Sequence, residues 1–382
     1  MLNIFTITMT PINPPFDDGP KNIVFGVAQR LKDYRFYFIT FLGRCFSRPD
    51  NTVFIISPFQ PTGRHKMFLL QKVYISLIAM FMINKIDLFQ FFFTPRPYFS
   101  SVFRRLLKRY NKVSIQIVSS VHTLLAKNRE NEVSSLFFSD CVIVQSDYAK
   151  ARLEGLGIRN VVRIYPGVDL NRFNKYGFES SAIKDERVNI IYPGTYEVLN
   201  DAYSLDEFCK IAIAVIEQYR EARFTMVCRI REKQEYYLER KFKSMVEHYG
   251  LIDKFIFLNT LEDLPALFSK SSMVIMPSNK PMAGILEIPL VLLEMAALGK
   301  PVVFGRSAPL GELAGLGVGL QVKEESSHGY SELVIRLLKD KEFNRVVSRN
   351  SKEAVEKHFN MDCLARQYGE VYDSLKRKAY GS

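Results

Sequence analysis

Short runs of β-branched and aromatic residues alternate with longer segments of helical periodicity along almost the whole chain, and the series occurs twice. A strand buried on both faces reads as a continuous apolar run, and parallel neighbours need a crossover between them, usually a helix. The alternation therefore predicts parallel α/β units. In the first half, strands are expected at Leu2 to Thr8, Arg35 to Leu42, Thr52 to Ser57, Asp87 to Thr94, Ser114 to Ser120, Cys141 to Gln145 and Val161 to Tyr165. Helices are expected near Lys21 to Leu31, Lys66 to Ile83, Phe99 to Arg109 and Asp147 to Gly155. In the second half, strands fall at Val188 to Tyr192, Arg223 to Cys228, Phe255 to Leu258, Met273 to Met276, Pro301 to Phe304 and Gly319 to Val322. Its helices lie near Ser204 to Tyr219, Lys233 to Tyr249, Leu264 to Ser269, Leu290 to Ala297 and Tyr330 to Leu338.

Between the two series, NRFNKYGFESSAIKDER is polar and aperiodic, the composition of a linker. At 382 residues the chain is too long for one compact core and suits two domains. The divisions expected are 1–180, 181–360 and a terminal helix over 361–382 that packs back on the first domain. Three helical segments are expected after residue 340. Sheets of this kind bring strand C-termini and helix N-termini to the edge where phosphate-bearing ligands bind.

Charge separates the halves. Residues 1–180 hold 24 basic and 12 acidic side chains, and residues 181–382 hold 28 of each, so the net charge of +12 belongs to the first half. The first half also holds 21 of the 30 Phe residues. It is expected to meet something anionic, a membrane surface, a nucleic acid or a polyanionic substrate. No nucleic-acid reader motif organises these cations, which argues against that partner. Five scattered cysteines without a C-x-x-C give neither a disulfide framework nor a zinc site, and point to a reducing cytoplasm. The N-terminal stretch lacks the pattern of a signal peptide, and polar residues interrupt 67–94 before a bilayer span is reached, so membrane contact is expected to be peripheral.

Several residues carry candidate chemistry. PPFDDGPKNIVF enters the first helix, where Gly19 allows close backbone approach and Pro20 suits a first helical position; the loop serves either as an anion cradle or as a plain turn. His122 follows a strand at the ligand-collecting edge, as a ligand contact or as a packing residue. Arg229 and Arg231 alternate where a strand ends, so they share a side and suit a diphosphate clamp or an ion pair with a helix acid such as Glu232 or Glu235. Glu294 lies in the apolar segment LVLLEMAALGKP, where a carboxylate is costly unless something pairs with it. A ribose diol would do so, as would Lys300 or a backbone amide. Walker A, HExxH, EF-hand and Asp-x-Asp patterns are missing, so no metal is expected. GLGVG precedes a strand instead of following one and reads as a turn.

Three segments, CVIVQSDYAKARLEGLGIRNVVRIYPGVDLNRFN, DKFIFLNTLEDLPALFSKSSMVIMPS and PLVLLEMAALGKPVV, resemble the family-4 retaining glycosyltransferases of the GT-B fold. The resemblance implies two Rossmann-like doubly wound domains facing each other across a cleft, with the acceptor on the N-terminal one and a nucleotide-sugar donor on the C-terminal one. It implies transfer of a hexose from a nucleoside diphosphate sugar to a hydroxyl with retention, in glycolipid or cell-envelope polysaccharide synthesis, without a cofactor. A cytoplasmic protein, peripheral at the inner face of a membrane, and a lipid-linked or glycan acceptor follow from it.

By that resemblance, Glu294 matches the second glutamate of the E-x7-E motif, which binds the donor ribose. Leu286 stands where the first would be, with Glu287 one place off and Pro289 replacing a glycine. His122 matches the histidine that contacts the transferred sugar. Asp17, Asp18, Gly19 and Lys21 match the loop between acceptor and donor. The family's Arg and Lys after the first strand of the second domain fall on Thr195 and Asn200; Arg229 and Arg231 replace them. Gly194, Tyr196, Glu262 and Ser278 complete the donor side with Glu287 and Glu294. These departures keep open a second reading, a catalytically inactive sugar-nucleotide or glycan-binding partner subunit.

Overall fold

The computed structural model describes residues 1–8, 12, 19–41, 48–59, 69–174, 188–230, 233–259, 264–282 and 286–380. The first part of the chain runs β1 (Leu2–Thr8), α1 (Gly19–Arg30), β2 (Tyr34–Phe41), β3 (Thr52–Ser57), α2 (Leu69–Phe81), β4 (Leu88–Phe92), α3 (Pro97–Arg109), β5 (Val113–Val118), α4 (Val121–Lys127), α5 (Glu130–Val133), β6 (Cys141–Val144), α6 (Asp147–Gly155) and β7 (Val161–Arg163). It continues with α7 (Asn171–Asn174), β8 (Asn189–Tyr192), α8 (Tyr196–Ala202), α9 (Leu205–Gln218), β9 (Arg223–Val227), α10 (Lys233–His248), β10 (Phe255–Leu258), α11 (Leu264–Ser269), β11 (Met273–Met276), α12 (Leu290–Ala297), β12 (Val302–Phe304), α13 (Ala308–Gly315) and β13 (Leu320–Gln321). Three helices close the chain, α14 (Ser327–Lys339), α15 (Lys341–His358) and α16 (Met361–Tyr380).

These elements form two compact units. Unit 1 comprises Met1–Gly167, Ile285–Glu287 and Met361–Ser382; unit 2 comprises Val168–Gly284 and Ile288–Asn360. The boundary lies at Gly167, upstream of the expected residue 180, because Val168 bridges Asn360 and donates its amide to Phe359 O at 2.7 Å. Of the expected linker over residues 171–187, Asn171–Asn174 form α7, and residues 175–187 lie outside the described residues.

Unit 1 holds a seven-stranded sheet of order β3-β2-β1-β4-β5-β6-β7, all pairs parallel. The chain doubles back between β1 and β4, the switch point of a doubly wound sheet. Alternate side chains of β1 enter two cores: Leu2 and Ile4 pack with α1 and α16, Phe5 and Ile7 with α2 and α3. Polar residues inside the sheet are paired, as burial demands. Gln90 of β4 accepts from Tyr372 Oη of α16 at 2.6 Å, and Gln116 of β5 accepts from the amides of Phe138 and Ser139. Helix α16 is held further by the Arg30–Asp362 ion pair and by Tyr34 Oη, which donates to Asp373 at 2.8 Å.

Unit 2 holds a six-stranded parallel sheet of order β10-β9-β8-β11-β12-β13, again reversing beside its first strand. One face buries Phe208, Phe224, Phe242 and Phe255 in a ladder of edge-to-face and stacked rings. Helices start where small polar residues cap them: Ser146, Ser204 and Ser326 accept from the amide three residues on, and Asp340 does so for Phe343 at 2.8 Å.

Two helices, not three, follow residue 340, since α15 runs unbroken to His358. Helices α4, α8 and α13 were not among the expected elements. Expected strand ends at Ser119, Ser120, Phe93 and Thr94 belong instead to loops after β5 and β4.

Candidate functional site

In unit 1 the site is built at the C-terminal edge of the sheet. β5 ends at Val118, and Ser120 starts α4 by accepting from the Thr123 amide at 3.1 Å and from Thr123 Oγ1 at 2.8 Å. His122 is therefore the second residue of a helix, and it is half-buried. Burial pushes its imidazole below the ordinary value of 6.5, which keeps the ring neutral at pH 7.

Glu287, expected on the donor side, has another position. Its carboxylate accepts from the Val121 amide at 2.5 Å and its own amide donates to Ser119 O at 2.9 Å. A buried carboxylate on one of the four amides that a helix N-terminus leaves unpaired is a favourable cap. Glu287 thus positions the helix that carries His122.

Gly19 and Lys21 form the first turn of α1, beside the β1–β4 switch point; Asp17 and Asp18 lie outside the described residues. Gln145, just past β6, was not singled out by sequence. It is buried one residue beyond the Val118–Val144 pair that ends the β5–β6 register, and neither amide atom has a hydrogen-bond partner among the described residues. A lone glutamine closing the apolar run CVIV was the available signal.

In unit 2 the loops after β8 and β11 meet the corresponding switch point. Gly194 lies in the first of them, and Thr195 caps α8 by accepting from the Val198 amide at 3.1 Å. Tyr196 differs from the expectation, because its side chain is 1 % exposed, inside the aromatic core. Burial, with Cys228 and Glu239 nearby, drives its phenol far above the ordinary value of 10.0. Only its main chain remains suited to a ligand.

Ser278 is likewise buried. Its amide donates to Tyr330 Oη at 3.0 Å and its hydroxyl lies 3.4 Å from that of Ser307. Opposite it, a Cβ on Gly305 would stand 1.8 Å from Ser278 O and 2.4 Å from Tyr330 Oη. Gly305→Ala is expected to lower stability by about 3 kcal/mol or more through overpacking against main chain, measurable by urea denaturation.

Arg229 follows Cys228, whose amide donates to Leu258 O at 3.0 Å, so the arginine leaves the sheet edge half-buried. Arg231 and Glu262 lie outside the described residues. Glu294 is half-buried in the middle of α12, between Leu293 and Met295, both fully buried. Burial raises its carboxyl from 4.5 to about 7, opposed by the charge of Arg172. No hydrogen bond of its carboxylate is seen among the described residues, and the charge that acts on it is that of Arg172. No group of three or more His, Cys, Asp or Glu side chains among the described residues is arranged to hold a metal ion.

The two units match two family models in chain order. The one described as Glycosyltransferase Family 4 matches residues 22–172, and the one described as Glycosyl transferases group 1 matches residues 212–354. The chain belongs to the group 1, family 4 glycosyltransferases. Its fold is that of the GT-B glycosyltransferases. This glycosyltransferase is similar in structure to sucrose-phosphate synthase from Thermosynechococcus elongatus, at 18% identity and TM-score 0.77, over 99% of this chain and 100% of that one. HepE from Anabaena, solved in complex with UDP-glucose, matches at 14% identity and TM-score 0.70, over 98% and 100%. WaaG, a glycosyltransferase involved in lipopolysaccharide biosynthesis, matches at 13% identity and TM-score 0.68, over 97% and 99%. No curated protein sequence matches this glycosyltransferase. No helix among its described residues is long and apolar enough to cross a membrane.

Proposed function

We propose that this glycosyltransferase moves a hexose from a nucleoside diphosphate sugar to a hydroxyl acceptor with retention of anomeric configuration. The observation that carries the reading is Glu294. A partly buried carboxylate that makes no hydrogen bond among the described residues, with the charge of Arg172 acting on it, beside a doubly wound sheet, is suited to a ribose diol, whose two hydroxyls would donate to it. HepE, of the same fold, has been solved with UDP and glucose, which supports a nucleotide-sugar donor.

In the proposed reaction the bond from the anomeric carbon to the phosphate oxygen breaks and a bond to the acceptor oxygen forms on the same face. The acceptor's proton passes to the departing phosphate oxygen, so no protein nucleophile is needed. Arg229 and Arg231 would stabilise the charge that develops on that phosphate, and neutral His122 would hydrogen-bond the sugar. With guanidinium groups supplying the positive charge, the transfer is proposed to need no resident metal, and a chelator is expected to leave turnover unchanged. The acceptor is proposed to be a lipid-linked or envelope glycan, reached from the cytoplasmic side, with the basic half resting against an anionic membrane.

The test is a thermal-shift screen of nucleoside diphosphates and their sugars, followed by transfer assays with the anomeric product read by NMR. A donor at about 100 times its dissociation constant is expected to stabilise the chain by ~2.7 kcal/mol. His122→Ala and Arg229→Ala are each expected to cut turnover by at least about tenfold, the loss of one charge-assisted or sugar contact. Donor binding without turnover would instead establish a sugar-binding partner subunit, and full activity in both variants would overturn the site.

A further inference from the structure

Helix α2 is apolar on both sides. Gln71, Ile75 and Ala79 are buried, the last two in the core shared with Phe99, Phe103 and Leu107 of α3. Its exposed residues are Leu69, Leu70, Val73, Leu77, Met80 and Phe81, and none of them is polar. Leu69 and Leu70 are 65% exposed and Phe81 80%. At about 100° per residue these six fall within an arc of about 120°, one continuous stripe along the helix. Ile56, half-exposed at the end of β3, extends it, since Tyr74 of α2 donates its hydroxyl to Ile56 O at 2.8 Å. Soluble monomers seldom leave an apolar patch of this extent uncovered.

The surroundings of the stripe are cationic. Lys72 of α2 lies over the ring of Tyr98 on α3, 5.7 Å from its centroid. Tyr98, Val102, Arg105 and Arg109 follow one another at spacings of four, three and four residues, so the two exposed arginines share the side of α3 that meets α2. Neither helix carries an acidic residue. Arg104 faces away, donating to Ser135 O and to Phe137 O.

We propose that α2 is an insertion face: it lies in the plane of an anionic bilayer, its six apolar side chains among the acyl chains and Lys72, Arg105 and Arg109 against the headgroups. Charge decides the occupant, because a second copy of this chain would bring one set of cations against another, whereas anionic lipid complements them. At 13 residues, about 20 Å, the helix is too short to span a bilayer. The choice of lipid rests on the proposed lipid-side acceptor; the surface itself does not depend on donor turnover.

The chain contains no tryptophan, so Leu77→Trp or Met80→Trp places a sole indole reporter on the stripe. With vesicles containing phosphatidylglycerol, the emission is expected to shift to the blue and to be quenched by brominated acyl chains. Val73→Glu with Leu77→Glu is expected to abolish vesicle flotation, and Arg105→Gln with Arg109→Gln to weaken it roughly thirtyfold at low salt. Two outcomes would overturn the proposal: vesicles that bind the chain yet leave both indoles unchanged, or a vesicle-free self-association that Leu77→Glu dissolves. Nucleotide thermal shifts should be the same in all these variants. A chain that inserts but shows no donor response would fail the catalytic reading alone.

Discussion

Donor affinity is expected to rise with pH through about 7 in the wild-type chain and to be flat in Glu294→Gln. Only the ionised carboxylate is a strong acceptor for both ribose hydroxyls, and burial holds the Glu294 carboxyl up at about 7 in the ligand-free chain. Below that value binding must expel a proton, so apparent affinity falls by up to about tenfold per pH unit. A nucleotide sugar is the right probe, because its substituted diphosphate does not titrate in this range. Stability moves the other way. The folded chain holds this proton more tightly than the unfolded chain, whose ordinary value is 4.5, so the folded state is favoured below 4.5 and that contribution is lost as pH rises through about 7. Glu294→Gln should accordingly stabilise the ligand-free protein at pH 8, by at most about 3 kcal/mol, and leave it unchanged at pH 4. Glu294→Ala should cut turnover by at least about tenfold. A ligand-free chain whose stability at pH 8 is unaffected by Glu294→Gln would show that the carboxylate is paired.

Glu287→Ala is expected to cost about 2–3 kcal/mol in stability and at least about tenfold in turnover. The first loss comes from the Val121 amide, which would be left buried without an acceptor at a helix end. The second comes through His122, the next residue, whose helix loses its anchor. Glu287→Gln retains an oxygen in the same place and should recover most of the stability and activity, which a direct charge contact to the donor phosphate or sugar would not allow. Urea denaturation and steady-state kinetics on the two variants check both arms. Equal activity losses in both would return Glu287 to the donor side.

The strands were legible because parallel strands are buried on both faces, and runs such as LFQFF or CVIV have no other stable use. Short helices were not. At seven residues, α4 and α8 span two turns, and their stability comes from Ser120, Thr195 and Glu287 rather than from periodicity. The role of Glu287 was out of reach, because its partner lies 166 positions away in the chain. Tyr196 and Ser278 show the limit of position along the chain: the first opens α8 and the second follows β11, both at the sheet edge, while packing against Phe242 and Tyr330 holds their side chains inward. The outward stripe of α2 is not legible in the sequence for a related reason, since a helix apolar on both sides gives no phase to say which face is buried.

The placement of α16 has a consequence for synthesis. Residues 1–167 leave the ribosome with all seven strands of their sheet, yet Tyr368, Tyr372 and Leu375, which share the core beside α1, arrive only with α16. The intervening residues take roughly 10 to 40 s to make at 5–20 residues per second. For that interval Gln90, Tyr34 and the apolar side of α1 face the cell without their final neighbours. Unit 1 is thus finished only after unit 2 has been made, and a nascent chain stalled before Met361 should be a substrate for chaperones until α16 arrives.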